Sequence, residues 1–273
     1  MTASQISRSF VIPVLDFSTH SEYNILTLLE DLRDVEGEVI CIFNSREVYE
    51  RLKSHTRINK FCFNSANVGV SRSWNIGLEM AEGRAVYIMN ADLHVAFAAI
   101  QQLEYFLFTL DKAAVVGPQG SILDFQTLRV LHYYEKGNFD KPVRTHDVSG
   151  FFFALNRPLF LENGLRFDTR FSPCFFEEWD MGLQVMAAGL HSYTVPVTDF
   201  DHHWGISQAD KDPIINYFGR PLRRSEVGRA NKEKFIQKWF EKLGYTRAAP
   251  VKPMVAQLPD PSPHRYILSQ TTL

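Results

Sequence analysis

Through the first 120 residues, short apolar runs of β-forming residues alternate with helical patterns. That alternation is the signal of βα units feeding strands into one sheet. "SFVIPVL" (9–15) stops at Asp16. Beyond it Ile25, Leu28, Leu29 and Leu32 recur at i, i+3, i+4 and i+7, which predicts an amphipathic helix over 21–34. "EVICIF" (38–43) predicts a second strand ending at Asn44 and Ser45, and "NKFCFN" (59–64) a third. Residues 71–82 carry a helical pattern closed by Gly83. "AVYIM" (85–89) follows as a strand, 96–110 as a helix and "AAVVG" (113–117) as a strand.

The second half is less regular. Residues 121–147 mix polar and aromatic side chains with weak periodicity, and "SGFFFALNRPLF" (149–160) predicts a strand or strand-like hairpin. Helices are predicted over 177–189 and 225–243. Beyond Gly244 come Pro250, Pro253, Pro259, Pro261 and Pro263, so an extended or disordered tail is expected.

Composition limits the partners. At 273 residues and 45 % hydrophobic, the chain can bury a core as one α/β domain or as two smaller units. Lys and Arg number 29 against 31 acids, so no basic excess exists to hold a phosphate backbone, and nucleic acid is not an expected partner. Cys41, Cys62 and Cys174 show no CxxC spacing, which argues against structural zinc and for a reducing compartment. The N-terminus has no signal-peptide core, and no run reaches the ~18 apolar residues of a membrane span. A soluble, cytoplasmic protein is expected, with peripheral contact at the inner membrane face left open.

Polar residues gather at the strand ends: Asp16, then Asn44, then Asn64 and Asn67, then Asn90 and Asp92 in "YIMNADLHV". Any one of them alone suits a turn or an N-cap. In open α/β sheets, however, ligands bind outside the carboxyl ends of strands, and four such ends can line one crevice. "FFEEWDMG" sets Glu177, Glu178 and Asp180 in the first turn of a helix, where acids complement the macrodipole. Phe175, Phe176 and Trp179 surround them, and apolar surroundings raise a carboxylate's pKa toward that of a general base. In "DFDHHWGIS", His202 and His203 suit either a structural role or metal ligation.

The order of these pieces resembles a family 2 inverting glycosyltransferase of the GT-A fold, over about residues 8–240. The matching segments are "VIPVLD", "FNS", "NVGVSRSWNIGLEMAEG", "YIMNAD", "VSGFFFALNR", "GLRFDTRFSPCFFEEWD", "HHWGIS" and "NKEKFIQKW". The resemblance implies a Rossmann-like mixed central sheet flanked by helices, with a helical C-terminal extension. It divides the chain into a nucleotide-sugar-binding half (1–120), a half for acceptor and base (121–245) and the Pro-rich tail (246–273). It implies a UDP, dTDP or GDP sugar as donor and a glycan or glycolipid acceptor. Pro13, Asp16 and Asn44 would hold base and ribose, and Asn67, Gly69, Arg72, Asn75, Asn90 and Gly150 would line the donor. Asp92 would bind Mn²⁺ or Mg²⁺ on the diphosphate, with His202 as a further ligand and His203 as its alternate. Glu178 would be the base, supported by Glu177 and Asp180, with Trp179 on the acceptor side.

Two departures stand out. Where family members often carry Arg before the second Asn of the glycine segment, this chain has Trp74, and Arg72 lies about 200° around the helix from it. His94 is an addition that suits a metal neighbour, an acceptor contact or a residue near an N-cap. A nucleotidyltransferase lacks support, since no Gly-rich, Lys-containing loop follows the first strand. A GT-A protein that binds nucleotide sugar or carbohydrate without turnover is the reading from another class.

Overall fold

A computed structural model describes residues 8–17, 22–125, 127–203, 212–241 and 266–268. The expected βα alternation is present: β1 (Arg8–Val14), α1 (Ile25–Asp31), β2 (Glu38–Phe43), α2 (Arg46–Leu52), β3 (Lys60–Asn64), α3 (Val70–Met80) and β4 (Ala85–Met89). α1 starts at Ile25 rather than near residue 21 because the Asn24 side chain accepts from the Leu26 and Thr27 amides and caps it there. A short β5 (Leu93–Val95) precedes α4 (Phe97–Thr109) and β6 (Ala113–Gly117).

The stretch with weak periodicity folds into strands: β7 (Gly120–Asp124), β8 (Arg129–Tyr134), β9 (Val143–Thr145) and β10 (Asp147–Val148). Three of them form a small sheet in the order β10-β7-β8. Its outer strand is largely exposed on both faces, so no apolar alternation marks it in sequence. The segment expected as a strand over 149–160 splits into β11 (Phe152–Asn156) and α5 (Arg157–Glu162), where the Asn156 side chain caps the helix and Pro158 sits in its first turn. α6 (Glu177–Ala187), β12 (His191–Thr194), β13 (Phe200–His202), a hairpin of β14 (Ile214–Tyr217) and β15 (Arg220–Arg223), and α7 (Arg224–Ile236) complete the domain. α7 runs on into a π turn, Gln237–Glu241. Most of the Pro-rich tail lies outside the described residues; from it, β16 (Tyr266–Leu268) pairs with β3.

The main sheet has nine strands in the order β16-β3-β2-β1-β4-β11-β6-β12-β9. β3, β2, β1 and β4 are parallel, and β11 is inserted antiparallel between β4 and β6. Side chains alternate between two packed layers. Phe10, Ile12, Tyr87 and Met89 meet α1 and α4 on one face, while Val11, Val86 and Ile88 meet α3, α5 and α6 on the other. Successive strands run one way from β1 to β3 and then jump back past β1 to β4. That switch opens a crevice at the carboxyl ends of β1 and β4. Among the described residues no helix is long and apolar enough to cross a membrane.

The C-terminal helix is locked to α6 by buried charge. The Lys238 ammonium lies 2.6 Å from Asp180 Oδ1 and 2.8 Å from Asp168 Oδ2, and Asp180 is fully buried. Trp239 Nε1 and Gln184 Nε2 donate to the same Asp180 carboxylate. Removing one partner of a buried pair strands the other charge at about 3–5 kcal/mol. Lys238→Met is therefore expected to lower the urea-unfolding free energy by roughly that amount, read from equilibrium denaturation followed by circular dichroism.

Candidate active site

At the switch point β1 runs out at Val14 into Leu15 and Asp16, and β4 at Met89 into Asn90, Ala91 and Asp92. Partial desolvation, with the charge of Asp92 added, pushes the Asp16 carboxyl above its usual range. The two acids thus share one end of the crevice. β5 and β13 pair antiparallel beside them, Leu93 opposite His202 and His94 opposite Asp201. This register sets His202 Nε2 3.2 Å from Asp92 Oδ1 and 3.5 Å from Asn90 Nδ2. The His202 ring also stacks on Phe151, with centroids 4.4 Å apart and planes 13° off parallel, which holds its orientation.

Strand alternation turns His94 to the other face of that ribbon. There its Nδ1 lies 2.9 Å from Asp31 Oδ2 on α1, with the Tyr23 ring edge-on to it. His94 is thus held against α1, away from the His202 face of the ribbon. Among the described residues no group of three or more His, Cys, Asp or Glu is placed to hold a metal ion. His203 stacks on Tyr23, and Trp204, Gly205 and Ser207 lie outside the described residues.

The other end of the site is reached through the backbone. Asn90 N donates to Phe151 O at 2.8 Å, so the turn before β11 runs beside the Asn90–Asp92 strand end. A Cβ on Gly150 would stand 2.4 Å from Glu178 Oε1 and 2.9 Å from the Trp74 ring. Glycine is what lets backbone, carboxylate and indole meet there. The Glu178 carboxyl is raised to about 7. Burial is the main cause and the charge of Asp147 adds to it, while the amides of Glu178 and Gly150 pull the other way. Glu177, 4 % exposed, is pushed well above the usual range by burial and by Glu178 beside it, and its Oε2 has no hydrogen-bond partner among the described residues.

The turn presenting these acids is strained and braced. Phe175 and Phe176 hold φ of 76° and 75°, a left-handed conformation costly for bulky residues and typical of functional sites. Asn231 Nδ2 on α7 donates to the carbonyls of Phe171, Cys174 and Phe175. The Arg224 guanidinium covers the Phe175 ring at 5.3 Å. Trp179 sits half-buried between Phe176 and Phe235.

Several residues expected at the donor have their side chains committed to the scaffold. Asn44 donates to Ser73 Oγ at 2.9 Å and accepts from Asn64 Nδ2 at 3.1 Å. Asn75 brackets the Phe167 backbone, accepting from its N–H and donating to its carbonyl. Asn67 accepts from the Gly69 amide and donates to Asn216 O, which shapes the turn into α3 and anchors the β14–β15 hairpin. Arg72 is 2 % exposed, its guanidinium 5.7 Å from the Phe218 ring. Asp180, expected to support the base, is instead engaged by Lys238, Trp239 and Gln184. Pro13 stays half-buried at the end of β1.

Sequence reasoning passed over Asp147, Phe151, Asn231 and Lys238. Asp147 alone left a signal, an acid directly before the apolar "VSGFFFAL". The others matter only through partners 50 or more residues away.

Comparisons with known proteins bear on the fold and the family. The crystal structure of GalNAc-T7 with UDP, GalNAc and Mn²⁺ aligns at TM-score 0.64 and 14 % identity, covering 88 % of this chain and 49 % of that one. The crystal structure of S. aureus TarS 1-349 in complex with UDP-GlcNAc aligns at TM-score 0.53 and 14 % identity, covering 76 % and 62 %. TarS 1-349 with UDP aligns at TM-score 0.51 and 13 % identity, covering 71 % and 59 %. At such identities the likeness is one of fold, and the chain spans less than two thirds of each of these structures. No curated protein matches. The sequence model described as "Glycosyl transferase family 2" matches residues 9–164, more than half of the chain and the stretch that carries β1 to β4, Asp92 and Gly150; the chain belongs to glycosyl transferase family 2.

Proposed function

We propose that this chain transfers a sugar from a nucleotide-diphosphate sugar to a hydroxyl of a glycan or glycolipid, with inversion at the anomeric carbon. The carrying observation is the Glu178 carboxyl, raised to about 7 under Gly150 and joined through Phe151 to the strand end holding Asp92 and His202. A base is most effective when its pKa lies near the working pH. UDP, dTDP and GDP sugars remain the donor class, and the UDP-bound neighbours favour UDP.

The donor atoms fit Mn²⁺ or Mg²⁺. Asp92 Oδ1 and His202 Nε2 converge within 3.2 Å, beside a second acid, Asp16. Two protein ligands suffice when diphosphate oxygens complete the shell. When bound, the ion supplies positive charge to stabilise the leaving diphosphate.

In the reaction, Glu178 accepts the proton of the acceptor hydroxyl as its oxygen forms a bond to the anomeric carbon. The bond from that carbon to the diphosphate oxygen breaks in the same displacement, so no covalent enzyme intermediate arises. One carboxylate is enough, in contrast to the pair used by most glycoside hydrolases. Asn90 adds a neutral hydrogen-bonding group for ribose or sugar, and Trp179 offers an aromatic face on the acceptor side.

Glu178→Gln is expected to cut transfer by about 10²–10⁴ and to leave UDP binding in Mn²⁺ unchanged by calorimetry. Undiminished transfer would remove Glu178 as the base. Asp92→Ala should abolish the metal-dependent part of UDP binding, measured with and without EDTA. Because only ionised Glu178 takes a proton, kcat/KM should fall about tenfold per unit as pH drops below roughly 7, and a flat profile from pH 5 to 8 would contradict the assignment.

A further inference from the structure

α6 is pressed onto the chain before Gly150. A Cβ on Gly182 would stand 1.7 Å from His146 O, so glycine brings the helix into backbone contact with β10. That approach places Asp147, 8 % exposed, beside the acids of α6. Its Oδ1 accepts from the Ser121 amide at 2.7 Å and from the Ser121 hydroxyl. Two residues on, Ser149 Oγ lies 2.8 Å from the Tyr133 hydroxyl, which also donates to Gln119 Oε1 at 3.0 Å. The chain from Asp147 to Gly150 is thus tied to β7 and β8 where Gly150 meets Glu178.

Resting on the reading of Glu178 as the base, we infer that Asp147 is a positioning residue for the transfer. Pinned to β7 by Ser121 and packed against α6 at Gly182, one turn from Glu178, it presents a facing anion to Glu178 from another element of the fold. The ionisable neighbours of Glu178 come from four places: Glu177 on α6, Asp147 on β10, Tyr133 on β8 and Cys174 in the turn before α6, with Arg224 of α7 beside Cys174. Burial pushes Tyr133 up to about 12 and Cys174 upward as well, so both are neutral near pH 7, and burial with the neighbouring acids pushes Glu177 well above the usual carboxylate range. Asp147 differs. Burial raises it to about 6, with the Ser121 donors, its own amide and the Trp179 indole opposing, so it is ionised at pH 7. A like charge at that position keeps the proton on Glu178 to higher pH and makes the ionised carboxylate a stronger acceptor.

Asp147→Asn tests this, since it retains the volume and the Oδ1 acceptor while removing the charge. The acidic limb of the kcat/KM profile is expected to move down by ~0.5–1 pH unit, with KM for the donor unchanged. A folded D147N whose limb coincides with wild type overturns the inference. Should D147N fail to fold by circular dichroism, Ser121→Ala takes its place. Losing the hydroxyl donor keeps Asp147 protonated to higher pH, so the limb should move in the same direction by a smaller amount, and an unmoved limb again overturns the inference. Failure of the underlying reading is separable: active Glu178→Gln removes the base, whereas inactive E178Q with an unmoved limb removes only the role of Asp147.

Discussion

One ammonium group carries the geometry of the second half. Lys238, from the π turn after α7, sits buried between Asp168 and Asp180, 2.8 Å from one carboxylate and 2.6 Å from the other. Because that cation is spent on Asp180, the other two acids of the same helical turn have no comparable partner among the described residues. Burial drives both upward, with the charge of Glu178 adding for Glu177 and that of Asp147 for Glu178, while Asp180 serves as an anchor. Three carboxylates within four residues thus acquire different chemistry from what each one touches.

The same helix resists strain at the turn beside it. Two left-handed phenylalanines aim the start of α6, a conformation that persists only where surrounding contacts over-determine it. Asn231 gathers three carbonyls of that turn, and Arg224 closes over Phe175. The strand-end half of the site needs no such brace, because parallel pairing of β1 with β2 and β4 brings the carboxyl ends of β1 and β4 together. Phe151 links the halves, bonding to Asn90 through its carbonyl and stacking on His202 through its ring.

Reading the chain in one dimension succeeded where a local pattern reports a local fact. The all-buried runs of β2 and β4 and the helical periods of α1, α3 and α6 were legible with shifts of a few residues. Residues 121–147 were not, since an exposed strand such as β8 carries no alternation to detect. Asn44, Asn67 and Asn75 show a related limit. Their residue type correctly marked a polar junction, yet an amide that bonds a ligand and one that bonds a neighbouring backbone look identical in sequence.

Sequence alone settled the class of fold, the family, and the places where acids stand at strand and helix ends, because those follow from periodicity and short-range spacing. Tertiary structure decided which of those acids is available. His202 joined Asp92 and His94 left it through the register of a three-residue ribbon, since a strand sends neighbouring side chains to opposite faces. Asp180 was claimed by a lysine 58 positions along the chain, and Glu178 was given Asp147 as a neighbour by a glycine that lets α6 touch β10. Charge–charge energy depends on distance through space and on burial, and neither is written along the chain.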